Sequence, residues 1–397
     1  MKTKLLFLLL LLISSLALSQ TTAIPDAIFE QELVNQGKDT NGMTGDILNS
    51  DAQAVTFLNV ESLGITDLTG IEAFTSLIFL VCSDNFLTTL NVSSNTALQI
   101  LKCSSNSLSS LDVTLNTNLL SLSCDNNQIS SFNLNQNLLL GTFICSNNPL
   151  TNLDVTVNTA LLTLGCSSTG LNSLNLNQNI LLQDLTCSFN NLTSLELSQN
   201  TALQSLECSY NNLTSLNLGS NTILSDVACT NNQITTLDLS LNPALFIFKC
   251  ASNQLTSLDL RNGTNSSVPN ANFIFAGNPN LTCINVDNAT YSTNTWTSFL
   301  DPQMFFSENC SLGINEFDTT DFKVYPVPAS NYISIDSNLI KLENIKLYNL
   351  NGKLISSINY LGNNKNHKID VSSFAKGMYI LQIETDNKMI HKKIIIQ

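Results

Sequence analysis

Nine cysteines recur at one fixed interval of 21 residues, as Cys82, Cys103, Cys124, Cys145, Cys166, Cys187, Cys208, Cys229 and Cys250. Thiols in such number offer three chemistries: nucleophilic attack, metal ligation and disulfide formation. The surrounding residues speak against each. A zinc or cluster site needs paired ligands, and there is no CxxC pair and no histidine before His367. Nucleophilic catalysis needs a base beside the thiol, and the acids here are spread along rows rather than paired, so no catalytic residue is assigned and no enzyme is expected. An odd number of cysteines excludes full pairing, and in-register strands aim their Cβ bonds in parallel rather than at each other. The expectation is nine reduced, buried thiols, each in a leucine's place where a small, weakly polar side chain fits a narrow core. No cofactor is implied.

The elements that hold this row are written in the same period. Three residues after each cysteine stands Asn85, Asn106, Asn127, Asn148, Asn190, Asn211, Asn232 or Asn253, with Thr169 the one departure. A second asparagine follows ten residues later, from Asn95 through Asn242. Each unit is thus two near-copies of LxxLxLxxN, with cysteine in the last apolar place of one copy. Alternating apolar residues point inward from a short strand, and one coil cannot bury its own leucines, so coils must stack. At about 4.8 Å per strand the cysteines form a row roughly 40 Å long. Asparagine at the turns satisfies backbone groups there. Over residues 55–262 the pattern resembles the leucine-rich repeat family in its 21-residue class. The resemblance implies a mainly β solenoid that serves as a binding scaffold.

A stacked core exposes leucines at both ends unless they are covered. Residues 20–54 read as a short helical cap, with Pro25 at a helix start, Ile28, Phe29 and Leu33 on one side and Gly37 as a stop. The stretch DTNGMTGDI from Asp39 faintly resembles a calcium loop but lacks the ligand spacing of an EF-hand, and is read as a plain loop. LGITDLTGIEAFTSL, from Leu63, is similar to the irregular first coil of internalin-like proteins. At the other end the period breaks after Arg261, and residues 263–312 read as a C-terminal cap. Cys283 and Cys310 fall off the interval and are expected to form a disulfide, as befits an exported chain. The N-x-S/T triplets at Asn191, Asn212 and Asn262 are by-products of the repeat's composition.

Residues 1–19, with Lys2 and Lys4, an apolar run and Ala17-Leu18-Ser19, read as a secretory signal peptide, with a lone membrane anchor as the competing reading. No transmembrane segment is expected in the mature protein. A polar linker, 313–322, precedes lysine-bearing alternating strands over 323–397, which suggest a small immunoglobulin-like β-sandwich. This tail resembles the C-terminal sorting domain of the type IX secretion system, through Tyr325-Pro326 and Pro328, Gly352-Lys353, Gly377 with Tyr379, and Lys392-Lys393. Val327 departs from the family's usual Asn. The resemblance implies the type IX secretion machinery as a partner and a secreted or outer-membrane surface-attached protein. An ordinary module that stays attached is the alternative.

Charge narrows the ligand. Residues 20–320 hold four basic against 24 acidic side chains, whereas 321–397 hold ten lysines against six acids. A phosphate backbone needs a basic stripe, so nucleic acid is excluded. Just after the second leucine of the regular half-repeat runs a stripe from Asn91 and Asp112 to Asp238 and Asp259, largely a solubility device. Its one adjacent acidic pair, Asp238 and Asp259, is a candidate cation site. On the cysteine half, Phe79, Val81, Ile100 and Lys102 near one end, with Ile247 and Lys249 near the other, are outward apolar and basic residues on a Ser/Thr/Asn surface. They are candidate contacts for a protein or glycan, unless they pack under the caps. A passive surface rod and an ice-binding Ser/Thr array are the other readings.

Overall fold

The structure is a computed structural model that describes residues 20–296, 298, 300–310, 322–337, 342–349, 352–359, 366–385 and 389–397. The expected signal peptide and all but the last residue of the linker lie outside them. Two compact units meet in sequence between Asn309 and Cys310.

In the first unit each coil contributes a three-residue strand that ends immediately before its cysteine, from Phe79–Val81 and Ile100–Lys102 to Ile247–Lys249. The middle residue points inward and is buried, the outer two face out. Strands pair in parallel and in register, so Phe79 lies beside Ile100 and Ile100 beside Ser121. The cysteine N–H continues the ladder: that of Cys103 donates to the carbonyl of Ser123 at 2.8 Å. Eleven strands form this sheet, beginning at Phe57–Asn59 and ending at Phe273–Ile274. A smaller parallel sheet of Thr236–Asp238, Ser257–Asp259, Cys283–Asn285 and Phe305–Ser307 lies in the other half of the last coils.

Asparagines join coil to coil. The Nδ2 of Asn211 donates to the carbonyls of Cys187 in the preceding coil (3.0 Å) and Cys208 in its own (3.1 Å), while its Oδ1 accepts the N–H of Leu192 at 3.0 Å. The second row, fully buried from Asn95 to Asn242, donates to two carbonyls of the preceding coil, as Asn200 does to Leu176 and Asn179. No protein donor reaches the Oδ1 atoms of this second row. To present the first row, the chain turns left-handed one residue earlier, with φ between 53° and 57° from Asp84 to Ser252. Small or turn-forming residues hold most of these places, as the sterics of positive φ require.

The array is longer than the cysteine row. Val60 donates to the carbonyl of Val81 as a cysteine would, and Phe275 takes the cysteine's place at the far end, since the N–H of Cys250 donates to Ile274. Asn278, three residues on, continues the amide row to Cys250 (3.0 Å) and Phe275 (2.7 Å). A longer loop between Cys250 and Phe275 conceals the period, so stacking does not stop at residue 262 as expected. Buried Phe248, Phe273, Phe275 and Trp296 fill this end, and the Trp296 indole donates to Val268 at 3.0 Å.

At the front, Asp26 caps the helix Ala27–Asn35 by accepting from Ile28 and Phe29. Its other oxygen accepts from the backbone of Thr66 (2.8 Å) and Asp67 (3.2 Å), which fixes the helix to the first coil. Burial raises this carboxyl's affinity for protons, but the converging N–H donors prevail and hold its pKa below the ordinary value. Phe29 and Leu33 are buried, whereas Ile28, expected on the same side, is 47 % exposed. The cap also holds a hairpin of Thr21–Ala23 with Asp46–Leu48 and a second helix, Asn49–Ala54, neither anticipated from the sequence.

The second unit packs two antiparallel sheets. One joins Phe322–Tyr325, Tyr332–Ser337 and Asn366–Asp370; the other joins Leu354–Asn359, Leu342–Asn349, Gly377–Thr385 and Met389–Ile396. Ile333, Ile335, Ile345, Leu381, Ile383 and Ile394 form its core. Of the motif residues, Tyr379 is buried and donates its hydroxyl to Ala375 at 2.7 Å, Gly352 has φ 73°, and Pro326, Pro328, Lys353 and Lys393 are exposed.

If the first asparagine row is the main inter-coil bond, Asn211→Ala should lower stability by about 2–4 kcal/mol, since it leaves several buried backbone groups unpaired. A lower urea midpoint checks this; an unchanged one would contradict the role given to the row.

Candidate functional site

The nine ladder cysteines are free and fully buried. Burial pushes the thiols of Cys82, Cys166 and Cys229 up to about 12 and the other six well above the ordinary 9.0. Such thiols stay protonated and unreactive at neutral pH. Cys283 and Cys310 are disulfide-bonded.

The stripe residues have a local task that charge spacing did not reveal. Asp112, Asp154 and Glu196 each accept the N–H two residues on, from Thr114, Thr156 and Ser198, and Asn91 and Asn217 do likewise for Ser93 and Gly219. They form side-chain turns that end each regular half-repeat. Asp238 and Asp259 are register partners, but Asp259 already pairs with Arg261 at 2.5 Å, which supplies the positive charge a cation would bring.

The outward residues divide. Phe79, Val81, Ile100 and Lys102 lie on adjacent strands, and register adds Phe57, 51 % exposed, with its ring 6.3 Å from that of Phe79. Phe57 also borders a cleft of 390 Å³ lined by Lys38, Thr40, Asp51 and Val55. This end of the strand face is open, since Phe79 remains 37 % exposed. Ile247 and Lys249 sit seven strands from Ile100 and eight from Phe79 in the sheet order, roughly 35–40 Å at the usual strand spacing. They belong to a different place, and Lys249 is paired in register with Ile274.

A larger apolar surface lies on the turns that precede the strands. Leu115, Leu120, Leu138, Leu139, Val157, Leu162, Ile180 and Leu181 are each 40 to 56 % exposed and occupy four consecutive coils. Sequence reasoning missed them because it compared only strand positions. The signal was present: Leu115 and Val157, Leu120 and Leu162, Leu138 and Ile180, and Leu139 and Leu181 all stand 42 residues apart, twice the basic period. Also unforeseen is an exposed stacked pair, Phe189 and Tyr210, with ring centroids 4.3 Å apart and planes at 9°. Both occupy the left-handed turn position, which suits bulky side chains poorly.

Comparison with known proteins follows this geometry. Residues 323–397 match the secretion system C-terminal sorting domain. The functional domain of InlJ from Listeria monocytogenes, whose structure includes a cysteine ladder, is 23 % identical, with a TM-score of 0.59 over 96 % of this chain and 99 % of that one. A leucine-rich repeat protein of Leptospira interrogans (22 %, 0.54, 65 % and 67 %) and internalin InlF of L. monocytogenes (19 %, 0.53, 72 % and 96 %) are similar. At these identities the likeness shows the fold. No curated protein sequence matches the chain.

The raised thiols carry a sign for stability. Below the unfolded value of 9.0 both states keep their protons; between 9.0 and about 12 only the unfolded chain loses them. Stability should therefore fall above pH 9, by up to about 1.4 kcal/mol per pH unit for each thiol. Iodoacetamide at pH 8 should leave all nine unmodified in the native protein and alkylate them in denaturant; disulfide-linked peptides among the nine, or alkaline stability that stays flat to pH 11, would contradict it.

Proposed function

The chain is a leucine-rich repeat protein with a type IX secretion sorting tail, secreted or attached at the cell surface, and from that premise we propose that it recognises a protein ligand through its apolar turn edge. The observation that carries this is the row of half-exposed aliphatic side chains on four consecutive coils, Leu115 to Leu181. Large apolar side chains left half exposed on successive coils are candidate contact sites. The core of these coils is filled by the neighbouring leucines, Leu119, Leu140, Leu161 and Leu182, which are fully buried. Aliphatic side chains without a basic neighbour suit a protein surface better than a polyanion. The strand-face group Phe57, Phe79 and Ile100 is a second contact area of the same kind. The nearby enzyme chemistries have no support in the array, whose thiols are protonated and whose stripe acids form turns.

The passive-rod reading differs in one respect: it requires no affinity. Protein and glycan arrays probed with the exported chain decide between them. Leu138→Ser with Ile180→Ser should weaken a protein hit by roughly tenfold or more, the loss of about 1.4 kcal/mol or more of apolar contact. Phe79→Ser with Ile100→Ser tests the strand face in parallel. Silence of the parent on both arrays would favour the rod, and a hit unaffected by either variant would overturn the sites named.

Deleting residues 323–397 should leave the cargo in the periplasm; normal surface display after deletion would refute the export role of the tail.

A further inference from the structure

The front cap gathers several acids around one loop, and the one basic side chain of residues 20–54, Lys38, feels the charge of Glu32. Asp39 is 4 % exposed; its Oδ1 accepts the N–H of Asn41 at 3.2 Å, while its Oδ2 is buried and has no partner. Two residues on, the amide oxygen of Asn41 is also buried and unpartnered. Its orientation is fixed, because Nδ2 donates to the carboxylate of Asp46 at 2.8 Å and to its carbonyl at 3.0 Å. The flipped amide would set oxygen against a carboxylate. Glu30, itself 4 % exposed, reaches the same loop from the cap helix, accepting the N–H of Gly45. Asp51 reaches it from the second helix, accepting from Thr40 at 2.6 Å. Burial first, then the charges of Glu30 and Asp51, raise the affinity of the Asp39 carboxyl for a proton.

A buried carboxylate oxygen and, two residues on, a buried amide oxygen, each without a hydrogen-bond donor, are costly to leave bare. The ion pairs found among the described residues, Arg261 with Asp259 and Lys346 with Glu384, lie elsewhere. We propose that the loop 39–46 binds one calcium ion through Asp39 Oδ2 and Asn41 Oδ1, with backbone carbonyls and water completing the coordination and Glu30 and Asp51 supplying negative charge around it. All-oxygen donors without histidine or thiol exclude the softer metals. A donor set with few carboxylates and irregular geometry suits calcium better than magnesium, which demands near-octahedral geometry. No three carboxylate, histidine or cysteine side chains converge on one point among the described residues, so the site belongs to the weak class of extracellular modules, with Kd of about 0.1–1 mM. Bound there, the ion ties the hairpin and both cap helices together over the first coil. The sequence reading dismissed this loop because the later EF-hand positions are missing; the cap brings in Glu30 and Asp51 from outside the loop.

The proposal is independent of the ligand-binding surface and is tested on the full mature chain. Calorimetric titration with CaCl₂ should show one site with Kd of roughly 0.1–1 mM, and CaCl₂ should raise the unfolding temperature above that in EDTA, with MgCl₂ weaker. Asp39→Asn keeps the shape and removes the buried charge. It should weaken calcium binding by about tenfold or more while raising the unfolding temperature in EDTA. A purely structural Asp39 would instead lose stability in both conditions, and that outcome would overturn the proposal. So would a parent that binds no calcium, or an Asp39→Asn variant that binds it undiminished.

Discussion

The fold depends on the amide of one asparagine per coil. Each tight turn leaves backbone carbonyls and N–H groups in the interior, where an unpaired group costs about 1–3 kcal/mol. The first-row asparagine serves its own coil and the one before it at once, as Asn211 does for Cys208, Cys187 and Leu192. One exception shows what this bond enforces. Where Thr169 replaces asparagine and Pro149 lacks an N–H, Leu150 has no amide oxygen to meet and donates instead to the Thr169 carbonyl at 3.0 Å. The chain bends there, and Thr151 is forced to φ 53°, a poor conformation for a β-branched residue.

Much of the remaining structure follows from stacking identical turns. Inward positions see only the neighbouring coils, so they are apolar, and a cysteine row results whose thiols are too buried to ionise at neutral pH. The stripe acids end each half-repeat by capping their own turn. What the stack leaves free is the outward surface, and variation there is the only means by which such a protein can become specific. The apolar edge from Leu115 to Leu181, the stacked Phe189 and Tyr210 and the Phe57–Phe79 pair are among the departures from a largely Ser/Thr/Asn surface.

The ends follow a different rule, because there the repeat has no neighbour. At the back, aromatic bulk replaces the missing coil, with Phe275 in the cysteine's position and Trp296 beside it. At the front, a helix fixed by Asp26 buries its own Phe29 and Leu33, with Phe29 against Phe74, and the acids that shape the cap gather near Asp39.

What the sequence by itself determined was everything locked to the 21-residue period, namely the coil, the strand before each cysteine, the inward and outward alternation and the asparagine rows, together with the alternating strands of the tail. A local pattern repeated many times leaves one register in which every leucine is buried. The tertiary structure alone decided the rest. It separated Ile247 from Ile100 by most of the array, turned Ile28 to solvent, carried the stack past residue 262 to Phe275, and left the Asp39 and Asn41 oxygens without partners. These depend on where a neighbouring coil or cap lies in space, and at the turns and ends, where lengths vary, the period carries no such information.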